Sequence, residues 1–343
     1  MIVVMLSTVT VAMLPRSTFK RHPFSLLCSN RIAVFDDVFD ANTLALVDAS
    51  AKDGGLGHTV FDRRTSPPRT AVEASIVAAL RALGDDDANI IEYWWREEWM
   101  HLELHRDVDE LLARAHPDAP MRVPAHAHVL YLSVGDHVQG PTVVLLDTHP
   151  RKMLPDGSLA PIASGQRFST IILVPAVVGR LLRFDGSLMH AVPRPALAYL
   201  DPEEGGSNLE LWTRRRPVSD DDPERTVNRR SVLLFNTWKI HAPLDVSTDP
   251  PGCSANVNVD VPVQCNARDS WVVHACEEPV DGELRAADDS RLVHLKVGLL
   301  GDQTRRERRE RYLHLTCPVG IKGALLGDTK APRSFSVQES SQE

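Results

Sequence analysis

The chain has 343 residues, is 43% hydrophobic and carries a formal net charge of -8. That is enough apolar material for one large core, with or without an appendage. The acidic balance leaves no electrostatic footprint for nucleic acid, so none is expected as a partner. Two basic clusters stand out, Arg214-Arg215-Arg216 and the run from Arg305 to Arg311, and the second alternates with acids and reads as a solvated helix face.

The first thirty-odd residues differ from the rest. Ile2 to Leu14 is apolar but too short to span a bilayer. Arg16, Lys20, Arg21 and Arg31 follow, with no acid before Asp36, which has the character of a cleaved targeting segment, secretory or organellar. The compartment stays open, and no later stretch could cross a membrane. Arg31 to Phe39 then reads as a strand rich in β-branched and aromatic residues. Asp40 can cap a helix over 41–52 that Gly54-Gly55 stops, and a second helix is expected over 70–83, with Gly84 at its end.

From about Ile90 the apolar period changes to two. Segments near 90–95, 99–107, 127–134, 141–147, 169–174, 179–184, 188–193 and 229–238 read as strands separated by Gly, Pro and Asp. Many short strands in succession argue a sandwich or barrel of the jelly-roll type. Two loops interrupt the series, 148–166 and the longer 196–228, and a long loop in a compact domain is a candidate for function. Beyond His241 the tail offers strands near 255–263, 271–274 and 291–297, and the polar end after Leu326 is expected to be disordered. Cys28, Cys253, Cys265, Cys276 and Cys317 form no C-x-x-C pair, which argues against a structural zinc site. Buried free thiols are expected, with disulfides among the last four as the alternative in an oxidising compartment.

Three H-x-[DE] triplets occur, at His101, His105 and His116. His116 lies in a Pro-rich loop, and His101 and Glu103 fall in mid-strand. His105 and Asp107 lie where the strand runs into a polar segment, and strand alternation points them the same way. A third ligand should come from another strand. His190 follows the tight Asp185-Gly186 turn on a predicted strand. Two imidazoles and one carboxylate on one face of a metal leave positions open, the donor set of non-haem Fe(II) sites.

The order of further motifs is specific. Tyr131-Leu132-Ser133, Gln139-Gly140-Pro141-Thr142, the frame Pro175, Gly179, Phe184 and His190, and the strand Arg229-Arg230-Ser231 ending at Trp238 follow in turn. Over about residues 32–240 the chain resembles the 2-oxoglutarate/Fe(II)-dependent dioxygenases, in their prolyl-4-hydroxylase-like branch. The resemblance implies a mainly β fold with flanking helices and a double-stranded β-helix core of jelly-roll, cupin-like type. It implies that His105, Asp107 and His190 hold Fe(II), and that 2-oxoglutarate and O2 are co-substrates, with ascorbate as an accessory. It further implies that an arginine binds the distal carboxylate of 2-oxoglutarate beside Tyr131. Arg229 is the first choice because it shares a strand face with Ser231, as in the family's R-x-S; Arg230 on the other face and Arg194 nearer to His190 are alternatives. Trp94, Trp95 and the 196–228 loop are candidates for substrate choice.

The implied reaction is hydroxylation of a protein side chain, such as prolyl, or of a small molecule, with succinate and CO2 as co-products. The alternatives are a binding module of the same fold without turnover, and a cupin-like metalloenzyme without 2-oxoglutarate. The expected organisation is a possible targeting segment (1–31), the dioxygenase domain (32–242) and a C-terminal extension of unknown role (243–343).

Overall fold

In this computed structural model the described residues are 31–54, 57–97, 102–135, 141–147, 152–160, 168–193, 200, 230–249, 263–274, 276, 292–299 and 311–339. The expected strand near 255–263, the basic run before Arg311 and the N-terminal segment lie outside them. Among the described residues no helix is long and apolar enough to cross a membrane.

The chain enters through β1 (Ile32–Asp36), α1 (Ala41–Gly54), β2 (Thr59–Asp62) and α2 (Ala71–Leu83). Both helices start and stop for local reasons. The Asp40 carboxylate accepts the Thr43 N–H at 2.7 Å. Thr70 accepts the Glu73 N–H, and Gly84 closes α2 in the left-handed region at φ 78°. Eight strands follow: β3 (Ile90–Glu97), β4 (Leu102–His105), β5 (His126–Val134), β6 (Thr142–Asp147), β7 (Phe168–Val174), β8 (Leu181–Asp185), β9 (Met189–Val192) and β10 (Arg230–Trp238), with the short helix α3 (Glu110–Ala115) before β5.

These eight strands alternate between two sheets except for β6 and β7, which pair as neighbours within one. One contains the order β8-β5-β10-β3 and the other β7-β6-β9-β4. That winding is a double-stranded β-helix, as the strand count and resemblance led us to expect. β1 and β11 (Val272–His274) extend the first sheet at one edge, and β2 at the other. The interior between the sheets is apolar, with Val129, Tyr131, Val144, Leu182, Phe184 and Val232 among its members. The outer face of the first sheet packs on α1 and α2 through Leu44, Val47, Ile76, Leu80, Leu130 and Phe235.

The outer face of the second sheet carries a core of its own. It is covered by β12 (Leu292–Leu299), β13 (Arg311–Pro318), α4 (Ile321–Leu326), β14 (Arg333–Ser336) and β15 (Gln338–Glu339). The expectation of disorder after Leu326 is corrected here. Phe335 and Val337 alternate with polar neighbours and are buried, while β14 pairs with β7. The composition is polar, but the period of two is that of a half-buried strand.

The β8–β9 turn depends on its glycine. A Cβ on Gly186 would stand 2.2 Å from the Pro124 carbonyl oxygen. Because the obstacle is backbone, Gly186→Ala should cost about 1–3 kcal/mol, as overpacking does. A chemical-denaturation midpoint equal to that of the parent would contradict this packing.

Two histidines on the helix-facing side of β5 make the fold acid-sensitive. Burial holds His128 well below the usual imidazole range, and burial with Arg183 beside it lowers His126 to about 4. His128 stacks on Phe235 at 4.3 Å and its Nδ1 meets the Phe235 carbonyl. The unfolded chain takes up both protons from about pH 6.5 downward, which the folded chain resists. Stability is therefore undiminished above about pH 6.5 and falls below it, by up to about 1.4 kcal/mol per pH unit for each histidine. In urea unfolding from about pH 7 to about pH 5, His128→Phe should lose stability less steeply than the parent; parallel slopes would count against the assignment.

Candidate metal and co-substrate site

β4 and β9 lie side by side, and His105 is the cross-strand partner of His190. Leu104 and Ala191 face the outer core, so alternation turns both imidazoles to the interior. Their ring centroids are 4.3 Å apart. Asp107 follows β4 and presents Oδ1 at 3.9 Å from His105 Nε2 and 3.8 Å from His190 Nε2. One ligand atom from each of the three lies within 4.8 Å of the others, and among the described residues this is the one such group of three or more. The three candidate ligands from the sequence thus meet at one point.

β4 is bulged. Leu102 pairs with Val192 and His105 with His190, a step of three residues against two. A bulge re-aims the side chain that follows it, and it breaks the alternation that put Glu103 on the same face as His105. The backbone of Glu103 supports the first imidazole. His105 Nδ1 donates to the Glu103 carbonyl at 2.8 Å, which fixes the tautomer and leaves the Nε2 lone pair directed at the Asp107–His190 corner. His101 lies outside the described residues.

His190 is kept neutral. Burial, with His105 beside it, lowers it to about 4, against a smaller opposite pull from Asp107. Phe184 packs on its ring at 5.0 Å between centroids. Two imidazoles and a carboxylate suit a divalent iron, and nothing in the group supplies the thiolate that would favour zinc or copper. The residues fit the metal that the donor set implies.

A second polar group lies deeper in the same interior. Arg230 and Tyr131 are completely buried and Thr142 is 1% exposed. The Arg230 guanidinium donates to Thr142 Oγ1 at 2.8 Å and reaches Tyr131 OH at 3.5 Å. The Tyr131 and Thr142 hydroxyls are 2.7 Å apart, and Arg230 Cζ stands 5.0 Å over the Tyr131 ring. Thr142 precedes by two residues Val144, the cross-strand partner of His190. The arginine group is therefore one pleat, about 7 Å along the strand, from the histidine row. A guanidinium withdrawn from water favours an anion beside it, and its fork matches a carboxylate.

Two expectations change. Ser231 does not line this pocket: its hydroxyl accepts the Trp95 indole N–H at 2.7 Å and donates to Asp48 of α1. It belongs to the helix-facing side with Leu233 and Phe235, so the inward face of β10 is that of Arg230 and Val232. Arg230, expected to face away, is the arginine that reaches Tyr131. Arg229 and Arg194 lie outside the described residues. Trp95 is likewise a helix-side core residue. Trp94 pairs with the inward-packed Leu234 and stacks on His58 at 4.4 Å. Thr142, the last residue of the Gln139-Gly140-Pro141-Thr142 motif, joins this group through the pairing of β6 with β9, which the sequence alone does not show.

No protein-family profile matches this chain, and no curated protein matches it. Among solved structures, a prolyl-4-hydroxylase from Pseudomonas putida is 14% identical, with 62% of this chain and 87% of that one covered at a TM-score of 0.32. HygX from Streptomyces hygroscopicus, with iron bound, is 13% identical, with 71% and 95% covered at 0.32. A 2OG-Fe(II) oxygenase-family oxidoreductase from Burkholderia pseudomallei is 16% identical, with 59% and 81% covered at 0.29. Likeness at this level leaves the chemical argument to the side chains.

Proposed function

We propose that this chain is an Fe(II)- and 2-oxoglutarate-dependent oxygenase that hydroxylates a protein side chain or a small molecule. The observation that carries the reading is the pairing of two sites in one β-helix interior. His105, Asp107 and His190 converge at one level, and the buried Arg230–Tyr131–Thr142 group lies one pleat away. Either group alone has a structural reading. Together they match a five-carbon dicarboxylate that spans from a metal to a cation.

Iron and 2-oxoglutarate, when bound, would supply the oxidising power to hydroxylate a C–H bond with O2, yielding succinate and CO2. The chain's own part is to bind, orient and exclude water. His105 offers Nε2 because the Glu103 carbonyl holds its other nitrogen. His190 offers a lone pair because burial keeps it unprotonated. Asp107 supplies the anionic ligand. Arg230 holds the distal carboxylate, with the Tyr131 and Thr142 hydroxyls beside it. Phe184 shields the His190 side of the centre.

The test is succinate formation in air, with Fe(II) and 2-oxoglutarate supplied. Succinate above the enzyme-free background, dependent on both additions, supports the reading. Iron uptake without any 2-oxoglutarate turnover or binding would remove it.

A further inference from the structure

The residues next to both histidines are anchored in the outer core, not in the pocket. Leu104 precedes His105 and Ala191 follows His190; both are completely buried, and both join the cluster on the far side of the second sheet. The larger share of that cluster comes from the C-terminal segment, through Val293, Leu295, Val297, Leu315, Ile321 and Phe335 among others. β12 also continues the sheet itself: Leu299 pairs in parallel with Leu104, one residue before the ligand. Without β12, β4 would be a four-residue, bulged edge strand held on one side by β9. Short bulged edges are the places where strands open locally. The same β12 bridges Leu200 through Leu295. Leu200 is 3% exposed and lies in the excursion between His190 and Arg230.

We infer that residues 292–299 and 311–339 act as a positioning clamp for the metal centre. The outer core fixes Leu104 and Ala191 from behind, and with them the separation and pitch of the two imidazoles. β12 closes the edge of β4 and pins the start of the excursion. This assigns a task to the C-terminal extension, and the metal part of it rests on the iron reading above. None of these residues belongs to the ligand group; Val297 and Leu295 would act through the cluster they share with Leu104.

The test compares two equal truncations in the full-length chain. Val297→Ala removes two methyl groups from the outer core, and Val47→Ala removes the same two from the helix-side core; both valines are completely buried. Metal-free stability should fall in both. The first readout is anaerobic Co(II) titration followed by its visible absorption. Val297→Ala should bind cobalt ~10-fold more weakly, the size of effect expected when ligand support is disturbed, with an altered spectrum. Val47→Ala should match the parent, and Val297→Ile should restore parental behaviour. The second readout is amide hydrogen exchange of the metal-free protein. Protection at Leu104 and His105 should drop in Val297→Ala and not in Val47→Ala. Equal exchange at β4 in the two variants overturns the clamp. If the parent binds no metal, the iron reading fails while the exchange comparison still decides the clamp. Should Val297→Ala not fold, Leu295→Val removes less and is judged by the same comparison.

Discussion

Asp107→Ala should abolish iron-dependent turnover while leaving the metal-free protein folded. The carboxylate is the sole anionic member of the group and stands within 4 Å of both Nε2 atoms. Losing a direct ligand should weaken binding by more than the ~10- to 100-fold seen when only a ligand's outer hydrogen-bond partner is lost. Because Asp107 follows β4 and does not lie within it, no ladder hydrogen bond depends on its side chain. The expected pattern is thus lost Fe(II) binding with an unfolding midpoint close to that of the parent without metal. Calorimetric titration of Fe(II) under argon, beside a thermal melt, reads both. Retained tight binding would mean that the metal sits elsewhere or that the group holds none.

Arg230→Met separates the co-substrate from the metal. The guanidinium donates to Thr142 and approaches Tyr131, with no part exposed. A charge-assisted hydrogen bond contributes about 1.5–3 kcal/mol, so the 2-oxoglutarate requirement should rise by ~10- to 100-fold or more. Iron affinity measured without 2-oxoglutarate should not change. The Tyr131 and Thr142 hydroxyls, 2.7 Å apart, keep each other as partners in the variant, and an unfolding curve without 2-oxoglutarate reads its effect on folding separately. Arg230→Lys should fall between parent and Met, because an ammonium keeps the charge but loses the two-pronged fork. An unchanged 2-oxoglutarate requirement in Arg230→Met would move the anchor to Arg229 or Arg194.

The sequence made some of this legible and hid the rest for identifiable reasons. The metal group could be found because its parts are rare in combination: an H-x-D at a strand's polar end, and a histidine after a Gly-Phe frame on a separate strand. The direction of the arginine could not be read. β10 is RSVLLFNTW and is buried on both faces nearly throughout, so no polar alternation marks which face looks inward. The R-x-S pattern put the arginine on the face of Ser231, whereas the described arginine beside Tyr131 is Arg230; the partners of Ser231, Trp95 and Asp48, come from a strand and a helix distant in sequence. The β4 bulge was equally hidden, since it exists only relative to Val192 and His190 on the neighbouring strand.

The C-terminal region was misjudged on composition. β13 begins at Arg311, at the end of a charged run, and its apolar positions, Leu313, Leu315 and Cys317, are spaced by two. The period of two is present there, and the charged run expected to be a solvated helix face lies, up to residue 310, outside the described residues. What composition could not convey is that the outer face of the second sheet needed a cover, and that Leu104 and Ala191, beside two ligands, are part of what is covered.

The central claim is that one interior binds iron and 2-oxoglutarate together. The most direct measurement is an anaerobic titration of the full chain with Fe(II) and then 2-oxoglutarate, followed by visible absorption. A metal-to-ligand charge-transfer band should grow to saturation at one equivalent of each, and should be missing in Asp107→Ala. In Arg230→Met it should need far more 2-oxoglutarate to appear. If iron binds and 2-oxoglutarate leaves the spectrum and the iron affinity unchanged, the account is contradicted.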